Sequence, residues 1–139
     1  MTFKIIVLVG ICIFSRFGNA EGCQLPVSLN TKQILFMVNE LYTPKNPSAG
    51  EVVQAHFTEK KISSMELMKG ITSQGVYEYR IIEPGVGLLE VQLTGGDDRA
   101  KFRTVLMCEN DFSGKYIFSQ SQGMVKPDKR TNTGSYFIE

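Results

Sequence analysis

The sequence is poor in the residues from which catalytic and metal-binding sites are usually built. It has one histidine, three cysteines and no tryptophan in 139 residues. A zinc site needs a cluster of His, Cys or carboxylate ligands, which His56 and two bridged cysteines would not provide. His56 falls on the polar side of its predicted strand, which favours a surface position. No Gly-x-Ser-x-Gly motif marks a nucleophilic serine. We therefore expect no enzyme, with no catalytic residues, no metal and no cofactor.

An excess of positive charge and a second long apolar run are also lacking. Lys and Arg total 15 and Asp and Glu total 14, without a basic stripe. Such a balance lacks the electrostatic footprint of a nucleic-acid-binding protein. After the first twenty residues, no apolar run is long enough to cross a bilayer. We therefore expect neither a nucleic-acid partner nor a membrane span.

The first twenty residues have the pattern of a secretory signal peptide. Lys4 precedes an apolar run over residues 5–14, and small residues lead to a cleavage site after Ala20. An N-terminal membrane anchor is the alternative, but the run is short for one. Loss of Lys4 and Arg16 with the signal leaves 13 basic and 14 acidic residues, a formal charge of −1. We expect a signal peptide at 1–20 and one domain at 21–139, secreted into the extracellular space.

The cysteines fit this location. Cys12 lies in the predicted signal peptide, which leaves Cys23 and Cys108. In an oxidising compartment, an even pair is most simply one disulfide. Such a bridge closes a loop of about 85 residues, which the chain-entropy model values at roughly 4 kcal/mol of stability. The alternative, two free buried thiols, requires an intracellular protein.

Residues 87–122 carry the clearest structural pattern. Leu89, Val91 and Leu93 alternate with polar residues, which places the apolar side chains on one face of a strand. Gly- and Asp-rich turns separate this strand from two more, predicted at 101–108 and 115–120. Three consecutive strands with short turns predict an antiparallel meander.

The segment 31–42 permits two structures. Ile34, Leu35, Val38 and Leu41 recur at helical spacing and predict an N-terminal helix of about three turns. The alternative is a first strand over 34–38, because the apolar run there is continuous.

The rest of the chain indicates more strands. They are predicted at 52–58, 76–82 and 135–139, whereas 62–71 fits either a bulged strand or a short helix. Turn signals about every ten residues predict a mainly β fold, an antiparallel up-and-down meander that forms a barrel or a strongly curved sheet.

Four carboxylates fall in the predicted turns of the meander. They lack the spacing of a calcium-binding loop, and we expect them to be solvated turn residues: Asp97, Asp98, Glu109 and Asp111. The Gly95-Gly96 pair opens no helix, so a hairpin turn explains it better than a phosphate-binding loop.

Apolar and aromatic residues of the predicted strands are the candidate ligand contacts. A small barrel either fills its interior with side chains or encloses one ligand, and the residue types leave both alternatives open. The candidates are Phe57, Met65, Tyr77, Tyr79, Leu89, Val91, Phe102 and Phe118.

Residues 104–121 resemble the second signature of the lipocalins. A strand containing Val105-Leu106 runs into an acidic, aromatic turn at Asp111-Phe112 and returns as a strand with Tyr116. The segment 23–32, with its early cysteine, is similar to the start of arthropod salivary lipocalins of the triabin kind. The Gly-x-Trp motif and the C-terminal helix of the family are absent.

This resemblance implies a lipocalin-like barrel that carries a small hydrophobic ligand in a calyx. In salivary members a surface binds a host protein instead. The short chain leaves open whether the barrel is complete. A helix followed by a sheet also fits an α+β cystatin-like wrap, in which the protein would be a secreted inhibitor of a protease or host factor without a small ligand.

Overall fold

The structure, a computed structural model, describes residues 22–139 and consists of eight antiparallel strands. Each strand pairs with its neighbours in the chain, and the first also pairs with the last, so the sheet closes into a complete barrel. The predicted signal peptide lies outside the described residues. The strands are β1 Gln33–Val38, β2 Val52–Phe57, β3 Lys61–Glu66, β4 Ile71–Glu83, β5 Val86–Gly96, β6 Ala100–Asn110, β7 Ser113–Gly123 and β8 Arg130–Ile138.

The predicted meander is confirmed as β5, β6 and β7. Leu89, Val91 and Leu93 point into the barrel and are buried, as their alternation requires. The turn between β6 and β7 is tight, and the Asn110 side chain accepts hydrogen bonds from the backbone N–H of Phe112 and of Ser113, both at 2.9 Å. The mainly β class and the up-and-down order therefore follow from the sequence pattern.

The helix predicted over 31–42 is wrong. Residues 33–38 form β1, with Ile34 and Val38 buried, while Leu41 is 72% exposed in the loop that follows. Ile34 and Val38 satisfy a period of two as well as a helical period, and pairing with both β2 and β8 decides between them. The alternative first strand over 34–38 is the structure formed. The cystatin-like wrap, which needs the helix, is therefore also wrong.

Two further segments settle as strands. The ambiguous stretch 62–71 divides into all but the first residue of β3, a turn at 67–70 and the first residue of β4. Gly70 takes the positive φ of 68° in that turn. The last strand is longer than predicted, because it begins at Arg130 rather than at residue 135.

The barrel has two different ends. The loops 39–51, 67–70, 97–99 and 124–129 surround one end, which we call the mouth. The turns 58–60, 84–85 and 111–112 surround the other end, which we call the base.

The N-terminal segment, residues 22–32, closes the base. Its Leu25 and Leu29 are 5% and 1% exposed in the core. The predicted disulfide is confirmed: Cys23 is bonded to Cys108 on β6, with a Cα–Cα distance of 5.9 Å. The segment also accepts a hydrogen bond at the Pro26 carbonyl from the Tyr79 hydroxyl at 2.7 Å. These contacts close the base end of the barrel.

In residues 22–139 we find no helix with the length and hydrophobicity that crossing a bilayer requires.

Candidate ligand-binding cavity

The mouth half of the barrel contains a cavity of about 130 Å³. Inward-facing residues of all eight strands line it. The volume is similar to that of an engineered protein cavity of about 150 Å³ that holds one benzene molecule. A ligand the size of a single ring or a short chain therefore matches it. The apolar part of the wall is made by Phe36, Val38, Val53, Ala55, Ile62, Ile71, Leu89, Leu93, Phe102, Tyr116 and Phe118.

The base half of the interior is filled instead. Ile34, Leu106 and Tyr136 are at most 1% exposed there and pack with the two leucines of the N-terminal segment. The two alternatives left by the sequence, a packed core and an open cavity, thus both occur in one barrel. Its lower half supplies the core, and its upper half leaves the space.

Aromatic pairs shape the cavity wall. Phe36 meets Tyr116 edge to face at 5.3 Å, and Phe102 meets Phe118 at 4.9 Å with the rings tilted by 46°. Such pairs contribute about 0.5–1.5 kcal/mol each beyond the area that they bury. The wall is therefore held in place before any ligand binds.

The eight predicted ligand contacts separate into three groups. Leu89, Phe102 and Phe118 line the cavity. Phe57, Tyr77, Tyr79 and Val91 belong to or pack against the core, and Met65 is 41% exposed on the outside of β3. Alternation along a strand indicates which side chains face inward but does not give their height in the barrel. A role in ligand binding stays a prediction for each of them.

Tyr77 and Tyr79 instead hold the base together. The Tyr77 hydroxyl donates to the Thr58 carbonyl at 2.5 Å, and its ring packs edge to face on Phe57 at 5.0 Å. Burial raises the pKa of Tyr79 to about 12. Both tyrosines also line an outer groove of about 400 Å³ beside the N-terminal segment. The volume of that groove is larger than that of the interior cavity, but the groove is polar and open to solvent. The interior cavity is therefore the better candidate site.

Polar residues that the sequence reasoning did not select form the upper wall. They are Ser64, Glu66, Ser73, Asp98, Thr104, Gln120, Arg130 and Asn132. A usable signal was present: extending the inward alternation to the mouth end of β3 and β7 reaches Glu66 and Gln120. Both positions look like ordinary solvent-facing ends of strands when the closure of the barrel is unknown.

Three acceptor oxygens in this upper wall are buried without a hydrogen-bond partner among the described residues. They are Glu66 Oε2, Asp98 Oδ1 and Asn132 Oδ1. The expectation that Asp98 is a solvated turn residue is wrong, because the turn at 97–99 directs it into the cavity. Its neighbour Asp97 accepts a hydrogen bond from the Thr72 N–H at 3.0 Å and remains exposed.

Glu66 is a half-buried acid of the cavity wall, and its pKa is perturbed. Burial raises the pKa of Glu66 above its ordinary value. The negative charges of Glu51 and Asp98 raise it further, whereas Lys69 and Arg130 lower it. The net result is a carboxyl group whose protonated form is favoured more than that of an exposed glutamate.

The Arg130 side chain donates its hydrogen bonds to the mouth loop at 124–129. Its Nε donates to the Pro127 carbonyl at 2.9 Å, and its Nη2 donates to the carbonyls of Val125 and Lys126 at 3.2 and 3.3 Å. Gln120 holds the same loop through a 2.9 Å bond from Nε2 to the Asp128 carbonyl. Within residues 22–139 the ion pairs lie at exposed positions: Arg103–Glu90 and Lys126–Asp128. Arg130 therefore holds the loop at 124–129, and among the described residues it forms no ion pair with the cavity acids, although its charge lowers the pKa of Glu66.

Comparisons of the chain with protein-family models, with curated proteins and with solved structures find no match. The fold and the cavity therefore carry the functional argument.

Proposed function

We propose that the protein is a secreted carrier that binds a small, largely apolar molecule in the mouth half of its barrel. The observation that carries the proposal is the division of the interior, with a packed base below and a cavity of about 130 Å³ above. An eight-stranded barrel is just wide enough to hold one small ligand. The resemblance of residues 104–121 to a lipocalin signature supports the same function.

Secretion is supported by two independent features. The pattern of residues 1–20 is typical of a signal peptide. The Cys23–Cys108 disulfide favours an oxidising compartment, because cytosolic thiols are kept reduced.

Native mass spectrometry of protein secreted from a eukaryotic host tests the carrier function. We expect the native mass to exceed that of the chain. Denaturation should return it to the mass of the chain alone, and extraction should recover the small molecule. Protein freed of ligand should bind an environment-sensitive apolar dye, and Ala55→Leu should weaken this binding because Ala55 lies in the cavity wall. Thr94→Leu, on the outer face of β5, is the matched control. The absence of both a co-purified ligand and dye binding would contradict the proposal.

One observation favours a second candidate, an inhibitor that binds a protease or a host factor. Six exposed apolar residues occupy three neighbouring mouth loops and form what we call the apolar rim: Leu41, Tyr42, Leu67, Met68, Met124 and Val125. The Glu51 carboxylate of the first loop accepts a hydrogen bond from the Met68 N–H of the second at 2.8 Å. The Lys45 carbonyl of the first loop accepts another from the N–H of Thr131, which lies in β8 just after the third loop, at 3.0 Å. Grouped apolar side chains of this kind mark binding surfaces.

Inhibition of a panel of purified proteases tests this second candidate. We expect the wild-type protein to inhibit a member of the panel, and Met68→Ser to weaken that inhibition. Phe112→Ser should not, because Phe112 is 64% exposed at the opposite end of the barrel. Equal inhibition by the two variants would exclude the apolar rim as the inhibitory surface.

A further inference from the structure

We propose that an unpaired edge of β4, at the base of the barrel, binds an extended peptide segment of a partner protein that carries basic side chains. The segment would add to the sheet as one more strand. This surface lies at the opposite end of the barrel from the cavity, so the inference does not rest on the proposed carrier function.

The unpaired edge arises because β3 and β4 differ in length. β4 has 13 residues and β3 has six, and the last pair that they form towards the base joins Val76 to Lys61. Beyond this pair, residues 22–139 provide no strand beside β4 on the side away from β5. We call residues 78–83, which pair with β5 alone, the free edge.

The backbone of the free edge presents hydrogen-bonding groups in a regular order. The Tyr77 N–H donates to the Lys60 carbonyl at 3.2 Å, so Tyr77 directs its N–H away from β5. Every second residue of a strand directs its N–H and C=O to the same side, and Tyr79 and Ile81 therefore follow Tyr77. Within residues 22–139 the N–H groups of Tyr79 and Ile81 make no hydrogen bond on that side. An added strand would pair with both residues, as in other cases of peptide recognition by β-augmentation.

The free edge lacks the residues that usually prevent strand pairing. Native proteins place lysine or proline on exposed edges, or cover these edges with other elements. Residues 78–83 contain neither lysine nor proline, and Ile81 and Ile82 are 41% and 47% exposed there. A register shift follows Ile81 on the β5 side, so the regular part of the free edge is 78–81. This part is open to a short extended segment.

The outer groove of about 400 Å³ provides room for such a segment. Tyr77, Tyr79 and Arg80 of β4 line the groove together with Val27 and Ser28 of the N-terminal segment. Its polar lining and its openness to solvent are unfavourable for an apolar small molecule. They suit a peptide strand, because its backbone forms hydrogen bonds and its alternate side chains face water.

The charges of the groove favour a basic segment. Three carboxylates and one guanidinium line it, which leaves two excess negative charges: Glu59, Glu78, Glu90 and Arg80. Glu90 pairs with Arg103 at 4.0 Å, whereas Glu59 and Glu78 form no salt bridge with any of the described residues. Opposite charges that face each other on neighbouring strands stabilise the pairing. A lysine or arginine opposite Glu78 would therefore be favoured.

Fluorescence polarisation with labelled heptapeptides tests the proposal at pH 7. Valine occupies the odd positions of each peptide, and lysine, serine or glutamate occupies the even ones. We expect the lysine peptide to bind most tightly and the glutamate peptide to bind least. A lysine peptide with N-methylated valines has the same charge but lacks the valine N–H donors. It should bind about tenfold more weakly, because hydrogen bonds to the edge are lost.

Two protein variants locate the bound peptide. Glu78→Lys should weaken binding of the lysine peptide by about fivefold, because a repulsive charge replaces an attractive one. Ile81→Pro, which removes an N–H of the free edge, should weaken it by about tenfold. Glu40→Lys is the matched control, since it makes the same charge change at an exposed residue of a mouth loop. Each variant should bind the apolar dye as the wild type does, which shows that the barrel is intact.

Several results would overturn the proposal. They are failure of the lysine peptide to bind, equal affinity for the lysine and glutamate peptides, equal binding of the N-methylated peptide, and equal effects of Glu78→Lys and Glu40→Lys. If Ile81→Pro does not fold, the N-methylated peptide and Glu78→Lys still decide. A wild-type dimer in analytical ultracentrifugation that Glu78→Lys dissociates would assign the free edge to a second copy instead. Dye binding without peptide binding would leave the carrier function standing, and the reverse would contradict that function alone.

Discussion

Removal of the disulfide should destabilise the protein by an amount that the structure defines. Cys23 and Cys108 are 85 residues apart, and the bridge fastens the segment that closes the base. Closing a loop of that length removes unfolded-state entropy worth about 4 kcal/mol in the chain-entropy model. A single domain is usually stable by only about 5–15 kcal/mol. The double variant Cys23→Ser/Cys108→Ser should therefore lose a large part of its stability but still fold at low temperature.

Differential scanning calorimetry measures the effect as a fall in Tm. Each 1 kcal/mol shifts the Tm of a domain of this size by roughly 3–6 °C, so we expect a fall of about 12–24 °C. Neither cysteine lines the cavity, and the affinity for the apolar dye measured well below the Tm should be unchanged. Wild-type protein treated with reductant should match the double variant. A Tm within 2 °C of the wild-type value would refute the loop-entropy reasoning, and lost affinity at low temperature would refute the separation of base and cavity.

Three further predictions concern the base and the cavity. Leu29→Ala should lower the free energy of unfolding in urea by about 2–5 kcal/mol, because the side chain is 1% exposed in the core; a loss below 1 kcal/mol would show that the N-terminal segment does not seal the base. In a spectrophotometric titration compared with that of Tyr79→Phe, the Tyr79 phenol should ionise with a pKa of about 12, because burial raises it, and ionisation of this phenol near pH 10 in folded protein would contradict its burial. Glu66→Gln should stabilise the ligand-free protein relative to wild type increasingly from pH 4 to pH 7. The folded-state pKa of Glu66 is raised above the ordinary value of 4.5. The protonated carboxyl therefore stabilises the folded wild type at low pH, and this stabilisation is lost as the pH rises through the folded-state pKa. An equal difference in Tm at both pH values would contradict it.

The alternation of side chains predicted most of the strands. In β5 the buried residues Leu89, Val91 and Leu93 are fixed by local sequence alone, because a period of two leaves one arrangement of faces. In β1, by contrast, Ile34 and Val38 fit two periods equally well. Only the pairing of β1 with both β2 and β8, which are distant in sequence, selects the strand. The error over 31–42 therefore came from non-local hydrogen bonds that local spacing does not encode.

The apolar part of the candidate site was partly predictable, and its polar part was not. Leu89 and Phe102 were identified because apolar residues on an inward face belong to the interior wherever they stand in the barrel. Glu66 and Asp98 become site residues only through their height near the mouth and the closure of the barrel around them. The local pattern predicts a solvated turn acid at Asp98, because Gly-Gly-Asp-Asp indicates a turn whichever way its side chains point.

The base half and the mouth half of the barrel differ in how they contribute to stability, and this difference explains how the protein can maintain a cavity. Three unpartnered oxygens and an unfilled volume both reduce stability, and proteins tolerate such departures mainly at functional sites. Here the departures are confined to the mouth half, while the disulfide, the Tyr79 hydrogen bond and the Leu29 contact stabilise the base. The packed contacts and the cavity thus lie at opposite ends of the barrel, and this is why we expect cavity variants to change affinity more than stability and base variants to do the reverse.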